Sequence, residues 1–294
     1  LHNGVFMSRR AKIVATIGPS SNTIETLENL IQAGLNVARI NMSHGTHEGH
    51  AEVIKKIRQA SKNTGYEVAI LCDLQGPKIR VDKLPVNLEI KAGEEWVIGA
   101  SSVTEKYPQY KDRFIPTVYE NLVSDAHAGA TILFDDGLME AKAIAKEGDV
   151  LKIEIIVGGT LKSNKGINLP DVNISAPSFT EKDREDLIFG LKQDVDYVAL
   201  SFVRTAKDIL EVKHLLHKLR KNTPIISKIE KPEAVENIEE IIEVTDCIMI
   251  ARGDMGVEVG NHLVPAIQKD IIKLCNAVGK PVITATRMLE SMTS

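Results

Sequence analysis

Polar side chains gather at the ends of short β-branched runs, and their types suit chemistry on anionic groups. One run ends Arg39-Ile40-Asn41-Met42-Ser43-His44 and another ends at Asp73. Later runs end Ser227-Lys228-Ile229-Glu230, Ala251-Arg252-Gly253-Asp254 and Thr284-Ala285-Thr286-Arg287. Along an extended strand, side chains repeat with period two. That spacing puts Arg39, Asn41 and Ser43 on one face, and Lys228 with Glu230 on one face. Glu230 and Asp254 offer two hard oxygen donors from neighbouring strand ends. Such a pair could hold a divalent cation whose other positions go to water and substrate. Lys228 could neutralise a developing enolate, and Arg39 could fork onto a phosphate or carboxylate. Gly253 presents a backbone N–H at the start of the following helix, where anions bind well. Taken singly, each residue has a plainer reading. An acid at a strand end caps a helix, a lysine pairs or is solvated, and Asn41 and Ser43 form turns. Convergence of the whole set on strand ends favours the chemical reading.

The elements that must position these residues are parallel strands and amphipathic helices. Apolar runs lie at 12–18, 36–41, 68–74, 197–202, 224–230, 247–253 and 281–286. They are apolar on both faces, as expected of strands buried on both sides. Helical patterns separate them: TIETLENLIQAG, HEGHAEVIKKIRQA, EKDREDLIFGLKQ, AKDILEVKHLLHKL, KPEAVENIEEIIEV and LVPAIQKDIIKLCNAV. The third of these reads as a solvated charged face. Thr23 is a start signal for the first helix and Gly34 a stop signal. Every spacing between strand starts fits one βα unit except 129 residues (197−68) after the third strand. Residues 77–170 fill that gap with turn-bounded runs such as LEIKAGEEWVIG and DVLKIEIIVGG. This reads as an inserted all-β domain. The remaining βα units fit an α/β fold of the (β/α)₈ TIM-barrel kind, a fold of ~250 residues. The expected division is 1–76 and 171–294 for the barrel and 77–170 for the insertion. The last run falls close to Ser294, so the last βα unit is expected to be missing from this chain. A chain cut there is expected to be poorly stable and weakly active, because an open barrel leaves unpaired edges. A doubly wound sheet competes, but it calls for a Gly-rich turn after the first strand. TIGPSS, the turn present, has one glycine.

Composition excludes several classes. Among 294 residues, 43% are hydrophobic and 26% charged, the balance of a folded soluble protein. The net charge of −4 gives no overall pull toward nucleic acid or anionic lipid. Cys72, Cys247 and Cys275 are too scattered for a disulfide framework or zinc site. Cys247 and Cys275 read as buried thiols, and His214 and His217 as surface residues. The stretch LHNGVFMSRR has no apolar core of signal-peptide length. No run approaches the ~20 apolar residues of a membrane span. A cytoplasmic location is therefore expected.

The segments TIGPSS, NVARINMSHGTHEGH, LCDLQGPKIR, GINLPD, SFVR, ISKIEK, MIARGDMGVE and ATRMLESM occur in that order. Together they closely resemble the successive signatures of the pyruvate kinase family, over residues 11–294. ISKIE followed by ARGDMGVE is highly specific. The family fold is a barrel with a β-domain inserted after the third strand, followed by a C-terminal domain that is expected to be absent from this chain.

The resemblance implies a glycolytic phosphotransferase reaction in which phosphoenolpyruvate and ADP give pyruvate and ATP. It implies Mg2+, or Mn2+, held by Glu230 and Asp254. Lys228 resembles the lysine that stabilises charge during transfer, and Arg39 the arginine on the transferring phosphoryl group. Gly253, Asp254 and Thr286 fall at substrate positions, with Thr286 near where the enol takes up its proton. Arg80, Lys165, Asn41 and His44 fall on the nucleotide side. Asn41, Ser43, Asp73 and Leu74 fall at the monovalent-cation site. Potassium-requiring members carry Thr and Glu where this chain has Leu74 and Lys78. Lys78 therefore stands as a substitute for the cation, and potassium is not expected to be required. The resemblance also implies a homotetramer for the full-length protein. Two alternatives stay open: a metal-dependent pyruvate lyase or aldolase barrel, and a catalytically impaired fragment.

Overall fold

The computed structural model describes residues 10–286. Arg287 and the rest of the ATRMLESM segment beyond Thr286 lie outside the described residues, as does most of LHNGVFMSRR. In chain order the first elements are β1 (Ile13–Thr16), α1 (Ile24–Gln32), β2 (Leu35–Asn41), α2 (His47–Thr64) and β3 (Ala69–Asp73). Next come β4 (Leu88–Ile90), β5 (Glu95–Ala100), β6 (Phe114–Thr117), α3 (Leu122–Asp125), β7 (Thr131–Phe134) and β8 (Met139–Glu147). They are followed by β9 (Val150–Val157), β10 (Gly159–Leu161) and β11 (Ile167–Asn168). The chain continues with α4 (Glu181–Lys192), β12 (Tyr197–Leu200), α5 (Ala206–Lys218), β13 (Ile225–Ile229), α6 (Pro232–Glu236) and α7 (Ile238–Val244). It closes with β14 (Cys247–Ala251), α8 (Arg252–Val259), α9 (Val264–Ala277) and β15 (Val282–Ala285).

The chain divides into two compact units. The first comprises residues 1–75, 181–200 and 211–226. Its strands run β1–β2–β3–β12 and on to the start of β13. The register pairs Thr16 with Arg39 and Asn41 with Asp73, so polar strand ends sit side by side. Local signals explain the helices. Thr23 Oγ1 accepts the Thr26 N–H at 3.2 Å to cap α1, whose Leu27 and Ile31 are buried one turn apart. Thr46 caps α2 the same way, and Gly65 ends it at φ 71°, a left-handed geometry that glycine adopts without strain. The charged pattern of α4 is not a solvated face. Asp183 and Asp186 are 0% and 3% exposed. Asp186 accepts from Lys182 at 2.5 Å and lies 2.7 Å from His47 Nε2. A buried acid of this kind is stable only when paired, and periodicity alone does not reveal the pairing.

The second unit comprises residues 76–180, 201–210 and 227–294. The rest of β13 pairs with β14, and β14 with β15 in parallel, Ala251 opposite Ala285. Residues between β3 and α4 form two further sheets. One has the order β11–β7–β8–β9–β5–β6, mostly antiparallel, and the other pairs β10 with β4. Their core includes Ile98, Ile115, Ile132, Phe134, Leu151 and Ile153, all fully buried. The stretch KPEAVENIEEIIEV, expected as one helix, is two, α6 and α7, separated by Asn237. Asn237 donates from its side chain to the Arg204 carbonyl at 3.1 Å, a local bond that competes with helical propagation. All three cysteines are buried and free. His214 and His217 are exposed. Among the described residues no helix is long and apolar enough to cross a membrane.

Gly76 is held at φ 69°, and a Cβ there would lie 2.8 Å from Phe202 Cδ2 and 3.0 Å from Ser201 Cβ. Strain and overpacking act together at this point, each of order 1–3 kcal/mol. Gly76→Ala is therefore expected to lower the thermal unfolding midpoint by several degrees, measured by circular dichroism. An unchanged midpoint would show that the turn relaxes freely.

Candidate active site

In the first unit the strand ends place Arg39, Asn41 and Asp73 together. Arg39 Nε donates to Asp73 Oδ2 at 2.5 Å, and Arg39 Nη1 donates to Thr16 Oγ1 at 2.6 Å. Asp73 is 1% exposed on its side chain and Arg39 24%, so the pair is half sunk in the strand ends. A guanidinium carries five N–H donors, and these contacts fix its orientation with two of them. Thr16 was not anticipated; its place opposite Arg39 in the β1–β2 register is the signal.

Ser43 departs from expectation. β2 ends at Asn41, and Asn41 Oδ1 accepts the Ser43 backbone N–H at 3.1 Å. This is a side-chain-closed turn, so period two no longer applies at Ser43. Lys182 Nζ donates to the Met42 carbonyl at 2.9 Å and His50 Nε2 lies 2.8 Å from the His44 carbonyl, which together fix this turn. Leu74 is buried and brings no side-chain oxygen to a cation site.

In the second unit Lys228 and Glu230 meet as expected. Lys228 Nζ lies 3.1 Å from Glu230 Oε1 and donates to Ser201 Oγ at 2.7 Å. Glu230 Oε2 accepts the Phe202 backbone N–H at 2.7 Å. Glu230 Oε1 is buried and makes no aligned hydrogen bond. Burial pushes the Glu230 carboxyl above the usual carboxylate range; Lys228 opposes the rise and Asp254 adds to it. A buried acid beside a second acid suits a bound divalent cation. Among the described residues no group of three or more His, Cys, Asp or Glu side chains could hold a metal. Ser201 and Phe202 lie in the quoted SFVR segment, but a backbone N–H donor leaves no mark in residue type.

Asp254 and Gly253 stand in the first turn of α8, which starts directly after β14. The Gly253 N–H donates to Thr286 Oγ1 at 3.2 Å, so the expected anion-binding amide and Thr286 form one unit. Arg252 Nη2 donates to the Thr286 carbonyl at 2.6 Å and holds that residue at φ 58°. Lys78 does not point into solvent: its Nζ lies 3.8 Å from Asp254 Oδ1. Arg80 Nη1 donates to the Asn164 carbonyl at 3.1 Å, and Lys165 Nζ lies 2.9 Å from Asp135 Oδ1. Both belong to one neighbourhood through the bridge from Arg80 to Gly166.

Parallel βα units with cationic and acidic strand ends define the chain as an α/β protein. The family model for the pyruvate kinase barrel domain matches residues 8–294. The pyruvate kinase of Staphylococcus aureus (strain MRSA252) is 48% identical over 287 residues, 97% of this chain and 48% of that protein. The pyruvate kinase of Geobacillus stearothermophilus is 47% identical over 290 residues, 97% of this chain and 49% of its own length. The chain belongs to the pyruvate kinase family. It spans about half the length of the curated relatives it matches.

Proposed function

We propose that the protein transfers the phosphoryl group of phosphoenolpyruvate to ADP, giving pyruvate and ATP. Family membership supports this reading, and the buried Lys228–Glu230 pair with Asp254 beside it is the observation that carries it. Glu230 and Asp254 would hold Mg2+ or Mn2+, which supplies positive charge to the phosphoryl and enolate oxygens when bound. Phosphoryl transfer needs positioning and charge neutralisation more than covalent catalysis. A nucleotide phosphate oxygen attacks phosphorus, the P–O bond to the enol breaks, and the enolate oxygen takes the electron pair. Lys228, held at a fixed distance from Glu230 and Ser201, meets that new charge. Arg39, oriented by Asp73 and Thr16, addresses the phosphoryl group. The Thr286 hydroxyl accepts from Gly253 and keeps its own proton to donate toward the substrate carboxylate or the enol carbon.

Arg80 and Lys165 are the nucleotide-side residues of this reading, with Asn41 and His44. Residues 77–170 are its lid domain, which would exclude water from the phosphates on closing. A cytoplasmic homotetramer and turnover without potassium belong to the same proposal.

The test is ATP formation from phosphoenolpyruvate and ADP by the full-length protein, measured with a coupled luminescent assay. Glu230→Gln is expected to lower activity at least 100-fold, from the loss of a directly charged ligand. Pyruvate release without ATP would instead favour the lyase reading.

A further inference from the structure

A second buried lysine–carboxylate pair lies beside the first and has no assigned task. Glu258 is on α8, one turn after Asp254, so both project from the same side of that helix. Its side chain is 1% exposed, and Oε1 lies 2.9 Å from Lys231 Nζ, itself 12% exposed. The same Oε1 accepts from Asn168 Nδ2 at 2.7 Å, while Oε2 is buried without a hydrogen-bond partner in the structure. Lys231 directly follows Glu230 and is the residue before α6. Asn168 belongs to β11, the last strand before α4. One carboxylate thus ties together three segments: the helix that bears Asp254, the junction that bears Glu230, and the strand that follows Lys165.

The geometry points to Glu258 as a positioning residue: its clasp on Lys231 and Asn168 sets the spacing of Glu230 and Asp254 before a divalent cation arrives. The inference rests on the proposed metal role of those two acids. Two carboxylates near each other repel, and burial discourages the ionisation of Glu230. Without a fixed frame the segments would relax apart, and binding a cation would then have to bring them back. Burying the Glu258 charge is itself costly unless it is well paired. A stripe of apolar residues would join the same segments at lower cost in desolvation. What the ion pair adds is direction: a carboxylate bonded to two donors fixes both the distance and the rotation of α8. Partners one step removed from metal ligands typically change affinity 10–100-fold when lost.

The test is Mn2+ binding to the full-length protein without substrates, followed by electron paramagnetic resonance. Glu258→Gln keeps the oxygen that faces Lys231 and Asn168, and its Mn2+ Kd is expected within about threefold of normal. Glu258→Ala removes the clasp and should raise the Kd at least about tenfold. At saturating metal, kcat should stay within a few-fold while the metal concentration for half-maximal rate rises. Asn168→Ala removes one limb without leaving a buried charge and should shift the Kd in the same direction by a smaller factor. It serves if Glu258→Ala does not fold. Unchanged Mn2+ affinity in folded Glu258→Ala and in Asn168→Ala, with weakened binding in Glu230→Gln, overturns the positioning role alone. Unchanged affinity in Glu230→Gln as well overturns the metal assignment, and the clasp with it.

Discussion

Lys228→Met is expected to lower turnover by several orders of magnitude while divalent-cation and phosphoenolpyruvate binding stay near normal. The lysine sits 11% exposed between Ser201 Oγ and Glu230 Oε1, with no freedom to serve as a general surface cation. Its charge meets the substrate oxygen most strongly when that oxygen becomes an enolate. Losing an interaction made in the transition state lowers kcat rather than ground-state binding. Two side effects act on the metal in opposite senses. Without the lysine, Glu230 loses the group that restrains its rise in pKa, so protons compete better for the carboxylate. The incoming cation, in turn, no longer meets an ammonium beside its ligand. These effects offset, which is why binding should change little. Single-turnover phosphoryl transfer and Mn2+ titration of the folded variant check both halves. More than a tenth of normal turnover would remove Lys228 from the charge-stabilising role.

The strands were legible because runs such as VAILCD and CIMIAR are apolar on both faces, which few other contexts tolerate. Each observed strand of the parallel sheet falls inside its expected run except β2, which begins one residue before its run, at Leu35. The pairing of β4 to β11 was not legible. Short alternating strands in a row mark a strand-rich segment, but register depends on contacts distant in sequence, and the helix α3 within the expected all-β stretch was not foreseen. The same limit hid the break at Asn237 and the burial of Asp183 and Asp186. Those outcomes rest on partners 30 or more residues away, such as Arg204 for Asn237 and His47 for Asp186. At the site, period two brought Lys228 to Glu230 correctly but failed at Ser43, because the strand ends two residues earlier. Backbone donors such as the Phe202 N–H remained invisible, since every residue except proline carries one. The Glu258–Lys231 pair left no mark in the sequence either, since an acid and a lysine at helix starts and within helices read equally well as solvated side chains.

The full-length enzyme is expected to turn over without potassium, and Lys78 is the reason. A monovalent-cation site needs oxygen ligands and a net negative environment. Leu74 contributes neither, being apolar and 1% exposed. Lys78 brings a tethered single positive charge and directs it at Asp254, 3.8 Å away. Charges ~4 Å apart interact by ~4 kcal/mol at an effective dielectric of ~20. With side chains 27% and 33% exposed, solvent screening cuts that considerably. A lysine already in place is favoured over an ion that must be captured from solution, because the tether has removed most of the entropic cost of binding. A potassium ion entering beside Lys78 would be repelled by a similar amount. Lys78→Glu reverses the sign and sets a second carboxylate toward Asp254, so turnover in a tetramethylammonium buffer should fall about tenfold or more. Added potassium should restore part of that loss in Lys78→Glu, and more of it in the double variant Lys78→Glu/Leu74→Thr, which also supplies an oxygen ligand. The measurement is kcat with and without potassium in all three proteins. A large potassium activation of the unmodified enzyme would sink the idea. So would a Lys78→Glu variant indifferent to potassium, since the charge at position 78 would then have no bearing on cation dependence.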